Sequence, residues 1–312
     1  MQKSILMNFL IFYCAAAGLA QPQTKYTRQF VTVPGKKMSY ESFGLKDRHS
    51  GAPVFLFEGG LGVGGAKNFE AMFPQLSKIS AGIAYDRNGE GDSDEDSSLT
   101  TDVKLVVRFH DFLEQVHVAP PYILVGHSMG GAYVRLFTSL YPTEVAGLVF
   151  IDPADFMLTT EQDEQVKIMS HSEQGSGAWV VPAMKKIESD SSASIRVRHR
   201  AKRLAMLFDK GYFLEYTSLA PLPDIPIAVL LAYNKKKDTS AFSNVELSRF
   251  KAQEHFEVEN YMSMVAKNHN SYVILLTGYG HFIHEEDPDY VVSVIERVYK
   301  NATLRKMDIK HN

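Results

Sequence analysis

Read for its alternation of apolar and polar positions, the chain falls into short apolar runs separated by helical patterns. Gln29 to Val33 and Lys37 to Ser42 flank Pro34-Gly35 as a hairpin-like start, and Ala52 to Phe57 reads as a fully buried third strand. Ala81 to Tyr85, Tyr122 to Val125, Val145 to Ile151, Ile227 to Tyr233 and Ser271 to Thr277 continue the series. Between them lie helical stretches: Thr101 to His117, with Val103, Val106, Val107, His110 and Leu113 on one face, the stretch from Ala132 to Leu140, Glu246 to Lys267, and a closing helix over Asp289 to Lys300. Strands that alternate with helices predict a mostly parallel sheet covered on both faces. From Phe156 to Leu222 the alternation stops and helical segments rich in Met, Lys and Glu replace it, so residues 156–222 are expected to be a helical insertion, with 21–155 and 223–312 forming the core.

The apolar run at Tyr122 to Val125 breaks at Gly126-His127-Ser128-Met129-Gly130-Gly131 and passes straight into a helical pattern. Strand, tight turn and helix around G-x-S-x-G describe a nucleophile elbow, in which a strained reversal lifts the serine hydroxyl above the sheet. Ser128 is therefore the candidate nucleophile. A serine hydroxyl is weak near neutral pH, so it needs a base within hydrogen-bond reach and a carboxylate that holds the base in the right tautomer. His281 is the candidate base, because it follows the last strand in a Gly-flanked turn. His284 is expected to be a hydrogen-bonding partner within that loop, and His127 is read as local packing.

Composition narrows the classes. At 312 residues, 45% apolar and with a net charge of -3, the chain can bury a full core and carries no basic excess for nucleic acid. The Gly-rich stretch Glu58 to Gly65 lacks the Lys-Ser/Thr ending of a phosphate-binding loop, so nucleotide binding is set aside. Lys3, the apolar stretch Ile5 to Ala17 and the small residues Gly18-Leu19-Ala20 predict a secretory leader over residues 1–20, too short for a stable membrane anchor and cleaved after Ala20. The single cysteine, Cys14, lies inside that leader, and the product is expected to be secreted or periplasmic. Asn301-Ala302-Thr303 is a glycosylation sequon.

These motifs together resemble the α/β-hydrolase superfamily, in its serine-nucleophile branch. Asp86 to Ser93 is similar to that family's D-x-R-G-x-G-x-S turn, and Gly280-His281-Phe282-Ile283 to its G-H-F loop. The resemblance implies an α/β-hydrolase fold, a helical cap matching the insertion, the chain order Ser, acid, His, and no cofactor. It also implies oxyanion donors from the backbone N–H groups of Met129 and of Gly60, after the third strand. Two departures stand out: Glu58-Gly59 replaces the family's His-Gly, and the strand that usually precedes the acid runs into Asn234-Lys235-Lys236-Lys237-Asp238. The acid is thus Asp238, after the seventh strand, or Asp152, after the sixth. Asp152 is favoured because it ends the apolar run Leu148 to Ile151, and Asp152-Pro153-Ala154 resembles the acid position of pancreatic-type lipases.

Serine at the elbow disfavours the branches that use aspartate or cysteine. The expected activity is cofactor-independent hydrolysis of carboxylic esters or related small-molecule acyl substrates through an acyl-enzyme. Glu58-Gly59-Gly60-Leu61-Gly62 supports one alternative, a peptidase resembling prolyl iminopeptidases; a non-catalytic ligand-binding member of the same fold is the other.

Overall fold

The computed structural model describes residues 26–60, 65–153, 158–173, 180–193, 219–233 and 244–311, together with four positions between 198 and 205. The leader, Asp238, Leu61 to Gly64 and much of the insertion lie outside the described residues.

Among the described residues, eight strands form one sheet: β1 (Gln29–Val33), β2 (Lys36–Phe43), β3 (Val54–Glu58), β4 (Gly82–Tyr85), β5 (Tyr122–His127), β6 (Val145–Ile151), β7 (Ile227–Tyr233) and β8 (Tyr272–Thr277). Their spatial order is β1-β2-β4-β3-β5-β6-β7-β8. β2 pairs antiparallel with β1 and β4, and every pairing from β4 through β8 is parallel. The parallel strands therefore end on one edge. The direction of strand progression reverses between β3 and β5, and in open α/β sheets ligands bind at such a switch point.

Alternate residues of a strand face opposite sides, so a sheet buried on both faces needs apolar residues throughout. Tyr122 and Leu124 of β5 join one core, with α3 (Asp102–Gln115), α4 (Met129–Leu140) and the end of α7 (Asn244–Val265). Ile123 and Val125 join the other, with α1 (Gly65–Phe69), α2 (Phe73–Leu76) and α9 (Pro288–His311). The remaining described helices are α5 (Thr160–Ser170), α6 (Val180–Ser189) and α8 (Ile283–Glu286).

Thr101 caps α3, its side chain accepting from the Lys104 N–H at 3.2 Å. The inward face of α3 is not the one expected. Leu105, Val106, Phe109, Phe112 and Leu113 are buried, whereas Val103 and Val107 are exposed and His110 stacks on Tyr141 with ring centres 4.0 Å apart. Two aromatic rings decide this: Phe109 lies flat on Tyr85 at 4.4 Å and Phe112 at 5.1 Å, and rings of this size bury far more area than the valines would. Several boundaries differ by one or two residues, among them β5, which runs on to His127, and α7, which spans Asn244–Val265; two differences bear on the site and the sequon. β3 runs one residue further, so Glu58 closes the strand, and the closing helix continues to His311 with Asn301 inside it.

Candidate active site

β5 ends at His127 and α4 begins at Met129, which leaves Ser128 alone to reverse the chain. Its backbone sits at φ 52, ψ -123, a left-handed region that side chains rarely adopt and that concentrates at functional sites. Hydrogen bonds over-determine the turn: Ser128 N–H donates to Ile151 O at 3.1 Å and Gly131 N–H to Ser128 O at 2.9 Å. The Ser128 side chain makes no capping bond to the helix. Close packing demands glycine beside it. A Cβ on Gly130 would lie 2.1 Å from the Glu58 carbonyl oxygen, so α4 rests directly on the end of β3. Gly60 is also near, though less tightly seated: a Cβ there would lie 3.0 Å from His127 Nδ1 and 3.2 Å from the Ser128 Cβ.

Asp152 follows β6 immediately, and β6 pairs with β5 through His127 opposite Ile151, so Asp152 and Ser128 stand on adjacent strand ends. Asp152 is buried, its N–H donates to Leu230 O at 2.7 Å, and its Oδ1 accepts from Ala232 N–H at 3.0 Å. Its Oδ2 meets His281 Nδ1 at 2.5 Å. The carboxylate thus holds the Nδ1 proton and leaves Nε2 as the basic nitrogen. The His281 ring is 38% exposed, open to incoming molecules.

His127 does more than pack. Its Nε2 donates to the His281 backbone carbonyl at 3.0 Å, which ties the histidine loop to the elbow. His284 departs from expectation in the other direction: it is buried, and neither ring nitrogen has a hydrogen-bond partner. Its ring sits 4.4 Å from that of His127 and 5.1 Å from that of Phe69. Burial, reinforced by the neighbouring His281, pushes the His284 imidazole down to about 3, so it is a neutral wall and not a polar tie of the loop.

Glu58, which stands where the resemblance places histidine, is buried and accepts from Tyr85 Oη at 2.5 Å. It also accepts from Arg87, whose guanidinium reaches the carbonyl oxygens of Gly59 and Gly60 as well. Arg87 further pairs with Glu90 at 2.8 Å and lies over the Tyr133 ring at 5.2 Å. Burial pushes the Glu58 carboxyl up against the opposing pull of Arg87; burial equally disfavours the Arg87 charge, which Glu90 and Glu58 together maintain. The turn that delivers Arg87 is closed by Asp86, whose Oδ2 accepts from Ser39 Oγ and Asp92 N–H, and by Ser93, whose Oγ donates to Asp86 O.

The geometry therefore brings Ser128, Asp152, His281 and Gly60 to one edge of the sheet, with the Met129 N–H at the start of α4. Sequence reasoning placed Arg87 and Glu90 in the Asp86 to Ser93 turn and Tyr85 at a strand end, but gave none of the three a role at the site. The available signal was a carboxylate closing an otherwise apolar strand, since a buried charge requires a partner. Among the described residues, no three His, Cys, Asp or Glu side chains cluster as metal ligands, and no helix is long and apolar enough to cross a membrane.

Comparison with known proteins adds a family match: the model described as the alpha/beta hydrolase family covers residues 59–294. Human monoglyceride lipase is 30% identical over 98 residues, which are 28% of this chain and 32% of the lipase. The 2-hydroxy-6-oxo-6-(2'-aminophenyl)hexa-2,4-dienoic acid hydrolase of Metapseudomonas resinovorans is 27% identical over 142 residues, 45% of this chain and 47% of that enzyme. The chain thus spans less than half the length of these curated relatives. Among solved structures, a serine hydrolase involved in carbazole degradation superposes with a TM-score of 0.57 at 20% identity, over 88% of this chain and 99% of that one. An epoxide hydrolase superposes at 0.59 with 15% identity, again over 88% and 99%. At such identities the superpositions speak for the fold alone.

Proposed function

Because this chain belongs to the alpha/beta hydrolase family, we propose that it is a serine hydrolase that cleaves carboxylic esters through an acyl-enzyme. The observation that carries this reading is the Asp152–His281 pair, 2.5 Å apart, standing on the strand end next to the strained turn of Ser128. Ser128 Oγ attacks the acyl carbon as His281 Nε2 takes its proton, and the resulting oxyanion is held by the N–H groups of Met129 and Gly60. His281 returns the proton to the departing alcohol. Water, activated by the same nitrogen, then releases the acid and restores the serine.

We assign residues 156–222, the helical insertion, as a cap that selects the substrate. Its first described helix, α5, packs on α7: Leu158 and Val166 form a small cluster of their own with Ala252 and Phe256, and the amides of Gln162 and Asn260 exchange hydrogen bonds of 2.9 Å each. The leader composition of residues 1–20 supports a secreted or periplasmic product.

A fluorophosphonate probe tests the nucleophile, and p-nitrophenyl esters of graded acyl length, run beside aminoacyl-p-nitroanilides, test the substrate class. The reading requires labelling at Ser128 and turnover of esters. Turnover of the anilides alone would favour the peptidase alternative, and absence of both labelling and turnover the ligand-binding one.

A further inference from the structure

Arg87 is placed where a structural salt bridge alone would not require it. A buried Glu58 needs one cation, yet the guanidinium also donates to the carbonyl oxygens of Gly59 and Gly60, the two residues that follow β3 at the switch point. A trans peptide carries its C=O and N–H on opposite sides. When Arg87 draws the Gly59 carbonyl toward itself, the Gly60 N–H of the same peptide is turned away from Arg87. Gly60 is also the residue that abuts Ser128, with its hypothetical Cβ 3.2 Å from the Ser128 Cβ.

The rest of the network fixes the fork. Glu58 takes one side of the guanidinium and is itself held by Tyr85, Glu90 takes another at 2.8 Å, and the Tyr133 ring lies beneath it at 5.2 Å. Tyr133 belongs to α4, the helix that starts one residue after the nucleophile, so the same cation ties the β3 loop to the elbow helix. A glycine pair has no side chain with which to hold its own peptide planes, and in this chain an external donor holds them.

Resting on the serine-hydrolase reading above, we propose that Arg87 is a positioning residue for the oxyanion hole: anchored by Glu58 and Glu90, it orients the Gly59–Gly60 peptide so that the Gly60 N–H faces the oxyanion formed over Ser128. The network stands in for the His-Gly of the resembling family. Its contribution appears only when negative charge develops on the substrate oxygen, so it affects turnover and leaves substrate binding alone.

The test is Arg87→Lys in the full chain. Lysine keeps the charge but is a point donor that cannot span Glu58, Glu90 and two carbonyls at once. On a p-nitrophenyl ester kcat should fall about tenfold to a hundredfold at unchanged KM, a loss comparable in kind to that of an oxyanion donor. Affinity for a trifluoromethyl ketone, whose adduct places an oxyanion in the hole, should fall by the same factor. Thermal melts establish that the variant folds; if it does not, Glu90→Gln, which removes one anchor and leaves the Arg87–Glu58 pair, should show the same pattern at smaller amplitude. A folded variant with parental kcat and ketone affinity overturns the proposal, as does a loss of kcat with ketone affinity untouched. A parent protein that neither reacts with fluorophosphonate nor hydrolyses esters overturns the serine-hydrolase reading itself, which separates the two failures.

Discussion

The Asp152 carboxylate and the His281 imidazole meet Oδ2 to Nδ1 at 2.5 Å, across 129 residues of sequence. The other carboxylate oxygen is held by the Ala232 N–H, so the acid arrives at the histidine already oriented. Asp152→Asn keeps the shape but offers an amide where the Nδ1 proton needs an acceptor, which favours the wrong tautomer. Turnover should fall by on the order of 10⁴ with the fold intact, as in the serine-protease precedent for this substitution. Asp238→Asn should change it little. Steady-state rates of both variants on one ester decide between the two acids, and a collapse confined to the Asp238 variant would transfer the role there.

Two substitutions at Ser128 are predicted to be alike in activity and to differ in stability. Ser128→Ala and Ser128→Gly should both abolish hydrolysis, since either removes the hydroxyl. The backbone at φ 52 is strained for any residue with a Cβ and relaxed for glycine. Ser128→Gly should therefore be more stable than Ser128→Ala by about 1 kcal/mol in urea unfolding. Equal stabilities would show that the turn stores no strain, and residual parental turnover in either variant would remove Ser128 from the mechanism.

Much of this site is legible in the sequence because its signals are local. The G-x-S-x-G turn between an apolar run and a helical pattern, and an aspartate closing Leu148 to Ile151, each need only their neighbours to be recognised. Strand limits follow equally well where both faces are buried, as β6 and β7 show. The Arg87 network is not local. It depends on β3 and β4 pairing in the register that sets Phe57 opposite Ala84, which brings Glu58 level with Tyr85 and just short of Arg87. The inward face of α3 is lost for a related reason: several faces of that helix are apolar, and only the position of Tyr85 decides that Phe109 and Phe112 turn inward. For His284, a polar residue in a polar loop reads as a hydrogen-bonding one, until Phe69 and His127 are seen to enclose it.

The contact between α4 and β3 predicts that Gly130→Ala is damaging out of proportion to its one added methyl. The new Cβ would lie 2.1 Å from the Glu58 carbonyl oxygen and 2.7 Å from that of Gly59, both backbone atoms that cannot rotate away. Relief requires α4 to lift from the strand end, at a cost of about 1–3 kcal/mol as for other overpacked sites. The shift also separates Ser128 from Gly60. Urea unfolding and ester turnover should fall together, and a variant with parental values of both would mean that the helix and strand are less closely seated than this geometry has them.

His284 predicts a particular dependence of stability on pH. Its folded-state value, pushed by burial down to about 3, lies below the ordinary 6.5 that it regains on unfolding. As pH falls, the unfolded chain takes up this proton first, so the unfolded state is favoured progressively. The stability contributed by the neutral, buried ring is complete above about pH 6.5 and declines by about 1.4 kcal/mol per pH unit below it, until the folded protein protonates near pH 3. His284→Phe keeps an aromatic ring against Phe69 and His127 but has nothing to titrate. Carboxylates contribute to acid unfolding in both proteins, so the difference between the two slopes isolates His284. Urea unfolding at pH 7, 6 and 5 should show the parent losing stability more steeply than His284→Phe, by a slope approaching one proton. Parallel slopes would mean that the imidazole finds a partner or water on protonation, and that the wall behind the His281 loop is not dry.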